Sequence, residues 1–223
     1  MSKKKATKKY YFSVEGETEQ WYLKWLQDTI NNTEQAVYRI SIDCPVRKDP
    51  VKHAKCLNVT QKVEVYHFFD YESDEQTHVN AFMSAMDNMK KAEKIGKQIT
   101  YKSGYSNFTF DLWIVLHMAD SNASYAHRKQ YLVPINRAFG EKFASMEEYK
   151  EEENFKHCLK QMDISNVIAA IERAKKIMQS NQDNGYTLHQ YKGYHFYKEN
   201  PSLESWKAIE KILKDCGFIL KPK

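Results

Sequence analysis

Glycine and proline are scarce in this sequence, which has 7 and 5 of them among 223 residues. Their scarcity argues against a loop-rich, collagen-like or many-stranded β protein. No apolar run approaches the ~18 residues of a membrane span, so we expect no membrane segment. The four cysteines form no C-x-x-C pair and no secretory signal is visible, which predicts reduced thiols in a cytoplasmic protein. A zinc site at Cys44, His53 and Cys56 is disfavoured, because the spacing is irregular and no fourth ligand is evident.

Two motifs of well-known hydrolase classes are also absent. The sequence has no G-x-x-x-x-G-K-[ST] loop, so any ATP-driven step would need a separate partner. It has no G-x-S-x-G elbow either, which leaves a nucleophilic serine hydrolase without support.

Apolar residues make up 42% of the chain, enough for a packed core in one sizeable domain. The net charge is +5, and five lysines before residue 10 supply all of it: Lys3, Lys4, Lys5, Lys8 and Lys9. The rest of the chain is therefore neutral overall, and the body need not be a basic nucleic-acid binder. We expect residues 1–9 to be a basic flexible tail, with binding to nucleic acid as the alternative.

The hydrophobic pattern changes character near residue 106. Before it, alternating or buried apolar runs predict strands, and periodic apolar positions predict helices between them. The expected strands are 10–14, 37–42, 63–69 and 98–101, and the expected helices are 19–30, 51–61 and 75–95. After it the pattern is helical throughout, at 107–118, 128–139, 146–160, 164–180 and 202–216. This order predicts an α/β core at 10–118, a small parallel sheet flanked by helices, and a helical C-terminal extension at 119–223 packed on it as one compact unit.

Acidic residues follow two of the predicted strands. Glu15 follows the first strand, and Asp70 and Glu72 follow the third. Ligands collect at the carboxyl ends of parallel strands, and oxygen-only clusters suit Mg²⁺ or Mn²⁺. Gly16 permits a tight turn with room for a phosphate. The alternative, that such acids are favourable caps of helix N-termini, applies above all to Glu19 and stays open.

Four segments together resemble the Toprim pattern and, more specifically, the RloB-like protein family. The first is Val14-Glu15-Gly16-Glu17-Thr18-Glu19, and the second is an apolar strand that ends in Phe69-Asp70-Tyr71-Glu72. The third, residues 106–117, reads Ser-Asn-Phe-Thr-Phe-Asp-Leu-Trp-Ile-Val-Leu-His, and the fourth is Asn200-Pro201-Ser202. The resemblance covers residues 10–216 and is most specific in the third segment.

The resemblance implies a Toprim-like fold with roles for particular residues. It implies Glu15 as a metal ligand or general acid/base, and Asp70 and Glu72 as Mg²⁺ ligands. It places further residues in the same cleft: Asp111 and His117 with catalytic roles, and Gly16, Glu19, Ser106 and Asn107 as cleft or nucleic-acid contacts. For Asp111 and His117, a structural hydrogen-bonded role is the open alternative.

The same resemblance implies a function. RloB-like proteins are expected to be metal-dependent nucleases that hydrolyse DNA or RNA in anti-phage, restriction-linked or abortive-infection systems, beside an AAA-type ATPase partner. Self-association is left open. Three positions depart from the family pattern: Glu72 stands for an Asp, Asp111 for a Glu, and Phe108 for a Pro. The alternative is therefore a catalytically degenerate module that binds nucleic acid or the ATPase.

Aromatic residues cluster with two lysines between residues 186 and 198: Tyr186, Tyr191, Tyr194, His195, Phe196 and Tyr197 with Lys192 and Lys198. Such a pattern can stack on single-stranded bases, but an ordinary packing surface is the favoured interpretation.

Overall fold

The computed structural model describes residues 5–220, which form strands and helices in the order that an α/β protein requires. The strands are β1 (Thr7–Val14), β2 (Arg39–Asp43), β3 (Val63–Tyr71), β4 (Ile99–Asn107), β5 (His189–Tyr191), β6 (Tyr194–Phe196) and β7 (Ser202–Leu203). The α-helices are α1 (Glu17–Asn31), α2 (Pro50–Cys56), α3 (Gln76–Ala92), α4 (Asp111–Met118), α5 (Leu132–Phe139), α6 (Met146–Tyr149), α7 (Glu152–Lys160), α8 (Ile164–Asp183) and α9 (Ser205–Cys216). A short 3-10 helix, Arg128–Tyr131, precedes α5.

The central sheet has the strand order β2-β1-β3-β4-β7. The first four strands run parallel, and β7 pairs antiparallel with the last two residues of β4. Strand β3 is a nearly continuous apolar run, as expected of a parallel strand with helices on both faces. The predicted α/β class, a parallel sheet flanked by helices, is confirmed.

Two apolar clusters cover the two faces of the sheet. The larger one joins β1 and β3 to α1, α4, α8 and α9 through fully buried residues such as Phe12, Leu26, Trp113 and Ile209. The smaller one joins β3 and β4 to α3 and β6 through buried aromatic side chains such as Phe82. Helices from both halves of the sequence therefore share one core with the sheet.

Gly104 in β4 leaves room for the ring of Phe68 on the neighbouring strand. A Cβ atom at this position would lie 2.4 Å from the Phe68 ring and 3.2 Å from the His67 carbonyl oxygen. Gly104 is the registered partner of Phe68 on β3. The missing side chain is thus what lets the Phe68 ring lie across β4.

The exposed edge of the sheet at β2 is covered by polar side chains of α1. Asn31 donates to the Ile40 carbonyl at 2.9 Å and accepts from the Ile40 N–H at 2.8 Å. Gln27 accepts from the Ile42 N–H at 2.7 Å, and Lys24 donates to the Ile42 carbonyl at 2.7 Å. Helical spacing puts these side chains in one row along the strand, where they occupy groups that could pair with another chain.

Several predicted boundaries were wrong. Strand β1 begins at Thr7, so Lys8 and Lys9 belong to the sheet and not to a tail, while residues 1–4 lie outside the described residues. Strand β4 extends to Asn107, so the next helix begins at Asp111, and α2 already ends at Cys56. The single helix predicted over 146–160 is two helices, α6 and α7.

The extension is not wholly helical as predicted, because β5 and β6 form a hairpin and β7 joins the sheet. The hairpin turn is Lys192-Gly193, with φ of 51° and 81°, a conformation that favours glycine and tight hairpins. The aromatic residues clustered between residues 186 and 198 largely pack on α3 and β4. Phe196 contacts Phe82, and the Tyr191 hydroxyl donates to Asp87. In residues 5–220, no helix is long and apolar enough to cross a membrane.

Candidate functional site

The carboxyl ends of β1 and β3 open into one cavity of about 290 Å³. Glu15 follows β1 directly, and Asp70 is the penultimate residue of β3. Because β1 and β3 are adjacent and parallel, their ends lie side by side at the same edge of the sheet. The cavity is lined by Glu15, Gly16, Glu17, Thr18, Glu19, Trp21, Lys48, Asp70, Glu72 and Lys150.

Glu19 belongs to this cavity although it lies on a helix and not on a strand. Helix α1 starts at Glu17, and the Glu19 side chain turns back toward its N-terminus, where Thr18 Oγ1 donates to it at 2.9 Å. Glu19 is only 5% exposed, so it is more than a solvated cap. A Cβ on Gly16 would lie 2.8 Å from Glu19 Oε2. Gly16 therefore makes room for the Glu19 carboxylate. The sequence had suggested that it makes room for a phosphate.

Asp111 supplies a fourth carboxylate at the first residue of α4. It is 1% exposed, and its Oδ2 accepts from Thr109 Oγ1 at 2.8 Å. Its Oδ1 accepts no hydrogen bond of normal geometry from the part of the chain that the structure describes. The Tyr149 hydroxyl lies close enough for burial and Asp111 together to raise the pKa of that tyrosine. A buried carboxylate oxygen left without a donor is costly unless it binds something else.

Lys150 brings a positive charge to the four acids. Its Nζ lies 3.0 Å from Asp111 Oδ2. Asp111 raises the pKa of this ammonium, with smaller contributions from Asp70 and Glu19 that oppose the effect of burial. The residue follows α6 at the bend before α7, so the helical extension completes a site that the sheet begins.

Sequence reasoning missed Lys150, together with Lys48 and Thr109. No periodicity connects Lys150 to an acid 39 positions earlier in the chain, and only the fold brings the two together. Thr109 did carry a local signal, because a threonine just before a helix that starts with Asp is typical of an N-terminal hydrogen-bonded turn.

Glu72 lines the same cavity but is engaged by two other side chains. Arg128 Nη1 donates to Glu72 Oε2 at 2.9 Å, and His78 Nε2 lies 3.6 Å from the same oxygen. Arg128, like Lys150, comes from the second half of the chain. The predicted ligand is thus near the site, with its carboxylate held by an arginine.

Ser106 and Asn107 lie at the end of β4 and not on a helix. Ser106 is buried and is the registered neighbour of Asp70 on β3. Asn107 Nδ2 donates to the Lys198 carbonyl at 2.7 Å, which ties β4 to the segment before β7. Ser106 therefore lies beside the site, whereas the Asn107 amide connects β4 to the C-terminal extension.

His117 is a core residue that does not line the cavity. Its Nδ1 donates to the Trp113 carbonyl at 2.8 Å, and its Nε2 accepts from the Tyr22 hydroxyl at 3.1 Å. Burial lowers the pKa of His117 to about 4, so the ring is neutral at physiological pH. The structure gives the histidine the hydrogen-bonded structural role and does not bring it to the carboxylates.

Burial and the neighbouring negative charges raise the pKa of three of the carboxyls, Glu15, Glu19 and Asp70. Burial, followed by the charge of Glu19, raises the pKa of Glu15 to about 7, against the opposing effects of Lys48 and of the Asp70 N–H. Burial raises the pKa of Asp70 well above its usual range, and Glu19 and Glu15 add to the effect. Burial likewise raises the pKa of Glu19. With all of its acids ionised the site is therefore unfavourable, and binding of protons or of cations stabilises it.

The donor set fits a hard divalent cation. Glu15, Glu19, Asp70 and Asp111 offer only oxygen atoms, and Asp111 Oδ1 is a buried acceptor without a donor. Within residues 5–220, however, no three His, Cys, Asp or Glu side chains are already placed to coordinate one ion together. Mg²⁺ keeps several waters and binds through one or two carboxylates, so it does not require such a cage.

Positive charge flanks the carboxylates on two sides. Lys48 lines the cavity beside Glu15. On the other side, a smaller cavity of about 170 Å³ is lined by Asp111, Arg128, Lys129, Met146, Glu147 and Lys150. Lys150 borders both cavities, so it lies where the acidic and the basic parts of the surface meet.

Comparison with known proteins agrees with the motifs. Residues 10–212 match the family model described as RloB-like protein. Searches of curated proteins and of solved structures found no match. The matched range covers most of the chain and includes the acids of the site as well as Lys150 and Arg128. The chain belongs to the RloB-like protein family.

Proposed function

We propose that this protein is a Toprim-like, Mg²⁺- or Mn²⁺-dependent nuclease that hydrolyses phosphodiester bonds of DNA or RNA. The observation that carries the proposal is the meeting of Glu15, Glu19, Asp70 and Asp111 at one edge of a parallel sheet, between two groups of basic residues. Hydrolysis of a phosphodiester requires a bound divalent metal ion and positive groups that hold the phosphates. The carboxylates would supply the metal site, and the basic side chains would hold the phosphates.

The acids would have different roles in binding the cation. Asp70 and Glu15 would hold the cation, with Asp111 and Glu72 at the margin of the same site. A bound Mg²⁺ or Mn²⁺ polarises the phosphodiester and makes water more acidic. Burial raises the pKa of Glu15 to about 7, so near neutral pH this carboxyl would release its proton when the cation binds.

The basic residues would position the substrate. Lys48 on one side, and Arg128 and Lys129 on the other, would attract neighbouring phosphates of one strand. Such contacts carry no sequence information and depend strongly on salt. Positioning of this kind would explain how a chain with a neutral body binds a polyanion.

The first test pairs metal binding with cleavage. Mn²⁺ would be titrated into the wild type and Asp70→Asn by calorimetry, and both proteins would be incubated with plasmid DNA and with total tRNA. We expect binding and cleavage in the wild type, and a loss of cleavage of at least about 100-fold in Asp70→Asn. Glu152→Gln, an exposed acid on α7 that pairs with Lys156, is the matched control. Undiminished cleavage by Asp70→Asn would refute the proposal.

One observation favours a second candidate, a degenerate module that binds nucleic acid or an ATPase without turnover. Glu72 is paired with Arg128, and within residues 5–220 no ready coordination group exists. This candidate predicts nucleic-acid binding without cleavage at any Mn²⁺ concentration. Cleavage that depends on Asp70 would rule it out.

A role in anti-phage defence, with an AAA-type ATPase partner, extends the proposal. It is supported by the family and by the lack of a P-loop in this chain. Phage plating on cells that carry the protein together with an AAA-type ATPase partner should be reduced, and Asp70→Asn should restore the plating. Equal plating with the wild type and the variant would contradict this role.

A further inference from the structure

The Lys150 ammonium already occupies the Asp111 side of the site. Asp111 Oδ2 has Lys150 Nζ at 3.0 Å and Thr109 Oγ1 at 2.8 Å. These two donors fill the coordination of that oxygen, which leaves only Oδ1 free of a donor. A divalent ion placed against Asp111 would therefore lie within a few ångströms of a positive charge.

The Glu15 side of the cavity has a different environment. Lys48 lines it there, and the Asp70 backbone N–H lies close enough to lower the pKa of Glu15. Glu15 and Asp70 belong to adjacent parallel strands whose register is fixed by the sheet. Each half of the site thus has a lysine nearby, but among the described residues only Lys150, on the Asp111 side, lies in ion-pair contact with one of the four carboxylates.

The position of Lys150 in the chain also matters. It borders both cavities and lies at the bend between α6 and α7, where its side chain covers the buried Asp111 from the solvent side. Its side chain is 39% exposed whereas that of Asp111 is 1% exposed. The lysine can therefore be replaced without opening the core.

We propose that Lys150 serves as the second positive centre of this site, in place of a second metal ion, so that the protein binds a single divalent cation on the Glu15–Asp70 side. This inference rests on the proposed nuclease function. Sites for phosphodiester hydrolysis commonly use two positive centres near the reacting phosphate. Here the fold supplies one of them as a positioning residue that also orients Asp111.

The test counts bound ions. Mn²⁺ would be titrated into the wild type, Lys150→Met and Lys150→Arg, with calorimetry for affinity and electron paramagnetic resonance for free Mn²⁺. We expect one equivalent in the wild type and in Lys150→Arg, which keeps the charge. In Lys150→Met we expect a second equivalent, and a first ion bound at least about tenfold more tightly because a nearby positive charge is gone. Lys160→Met, an exposed lysine of α7, should behave as wild type.

The outcomes separate this inference from the proposed function. Two equivalents in the wild type would overturn the single-ion inference even if Lys150→Met did not fold, and would leave the nuclease proposal intact. Unchanged stoichiometry and affinity in a folded Lys150→Met would also overturn it. No Mn²⁺ binding in the wild type would overturn both.

Discussion

Glu15 connects the chemistry of the site to the stability of the fold. Its pKa of about 7 in the folded protein exceeds its usual value near 4.5, so between those pH values the folded protein binds more protons at this carboxyl than the unfolded chain does. The free energy of unfolding should therefore fall as pH rises from about 5 to about 7, by of order 1–2 kcal/mol after solvent screening.

Urea unfolding at several pH values in the presence of a chelator measures this dependence. In Glu15→Gln the fall should be smaller, because the substitution removes the titrating group. Glu152→Gln, at an exposed position, should show the wild-type dependence. A steeper fall in Glu15→Gln than in the wild type would contradict the assignment.

Gly104 offers a second prediction at the scale of a single residue. Gly104→Ala places a methyl group 2.4 Å from the Phe68 ring position and should lower the free energy of unfolding by about 1–3 kcal/mol. Chemical denaturation of Gly104→Ala, Phe68→Leu and the double variant would test the cause. The double variant should be less destabilised than the sum of the two single ones. Simple additivity would mean that the ring contact is not the reason.

The site residues differ in how far the sequence could predict them. Glu15 and Asp70 were predictable, because each follows an apolar strand and parallel strands end at a common edge. His117 was grouped with Asp111 only through the motif. Six residues along a helix turn a side chain by roughly 240°, which puts the two on different faces of α4. Helix geometry alone could have separated them.

At the scale of elements, the row of α1 side chains along β2 has a measurable effect. The double substitution Gln27→Ala/Asn31→Ala removes the partners of the Ile40 N–H and carbonyl and of the Ile42 N–H, and leaves Lys24 on the Ile42 carbonyl. We expect a loss of about 1–3 kcal/mol in the free energy of unfolding, together with self-association that grows with protein concentration. Urea unfolding and light scattering after size-exclusion chromatography would measure both.

The matched control for this edge is Asp28→Ala on the exposed side of the same helix. It should change neither stability by more than about 0.5 kcal/mol nor the mass in solution. A monomeric double variant would show that the exposed edge does not recruit a second chain.

The elements that were missed share a physical cause. The end of β4, Ser106-Asn107, looks unlike a strand because its residues are polar, and they are buried between two distant segments, β3 and β7. The hairpin of β5 and β6 lies between the expected helices 164–180 and 202–216, where no strand was predicted, and its Lys192-Gly193 turn is a local signal that could have revealed it. At the end of β4, contacts between distant segments override the local preference of the residues for a non-strand structure. In the hairpin, local preference and the final structure agree.

At the scale of the whole molecule, the larger apolar cluster makes the sheet and the extension one unit. Ile209 of α9 is fully buried in the same cluster as Phe12 of β1. Ile209→Ala should therefore lower the free energy of unfolding of the entire chain by about 2–5 kcal/mol, in a single transition. Far-ultraviolet circular dichroism and tryptophan fluorescence should give coincident curves. Two separate transitions would mean that the extension folds independently.

The order of the site residues along the chain has a consequence during synthesis. The four acids lie within the first 111 residues, whereas Lys150 follows 39 residues later. At ~5–20 residues per second, a ribosome needs about 2–8 s to make the intervening segment. Until then the carboxylates lack Lys150, although Lys48 has already been made. If the proposed nuclease activity is present, the site would gain its full set of charges only once residue 150 has been made, which would limit cleavage of the cell's own nucleic acid by shorter unfinished chains.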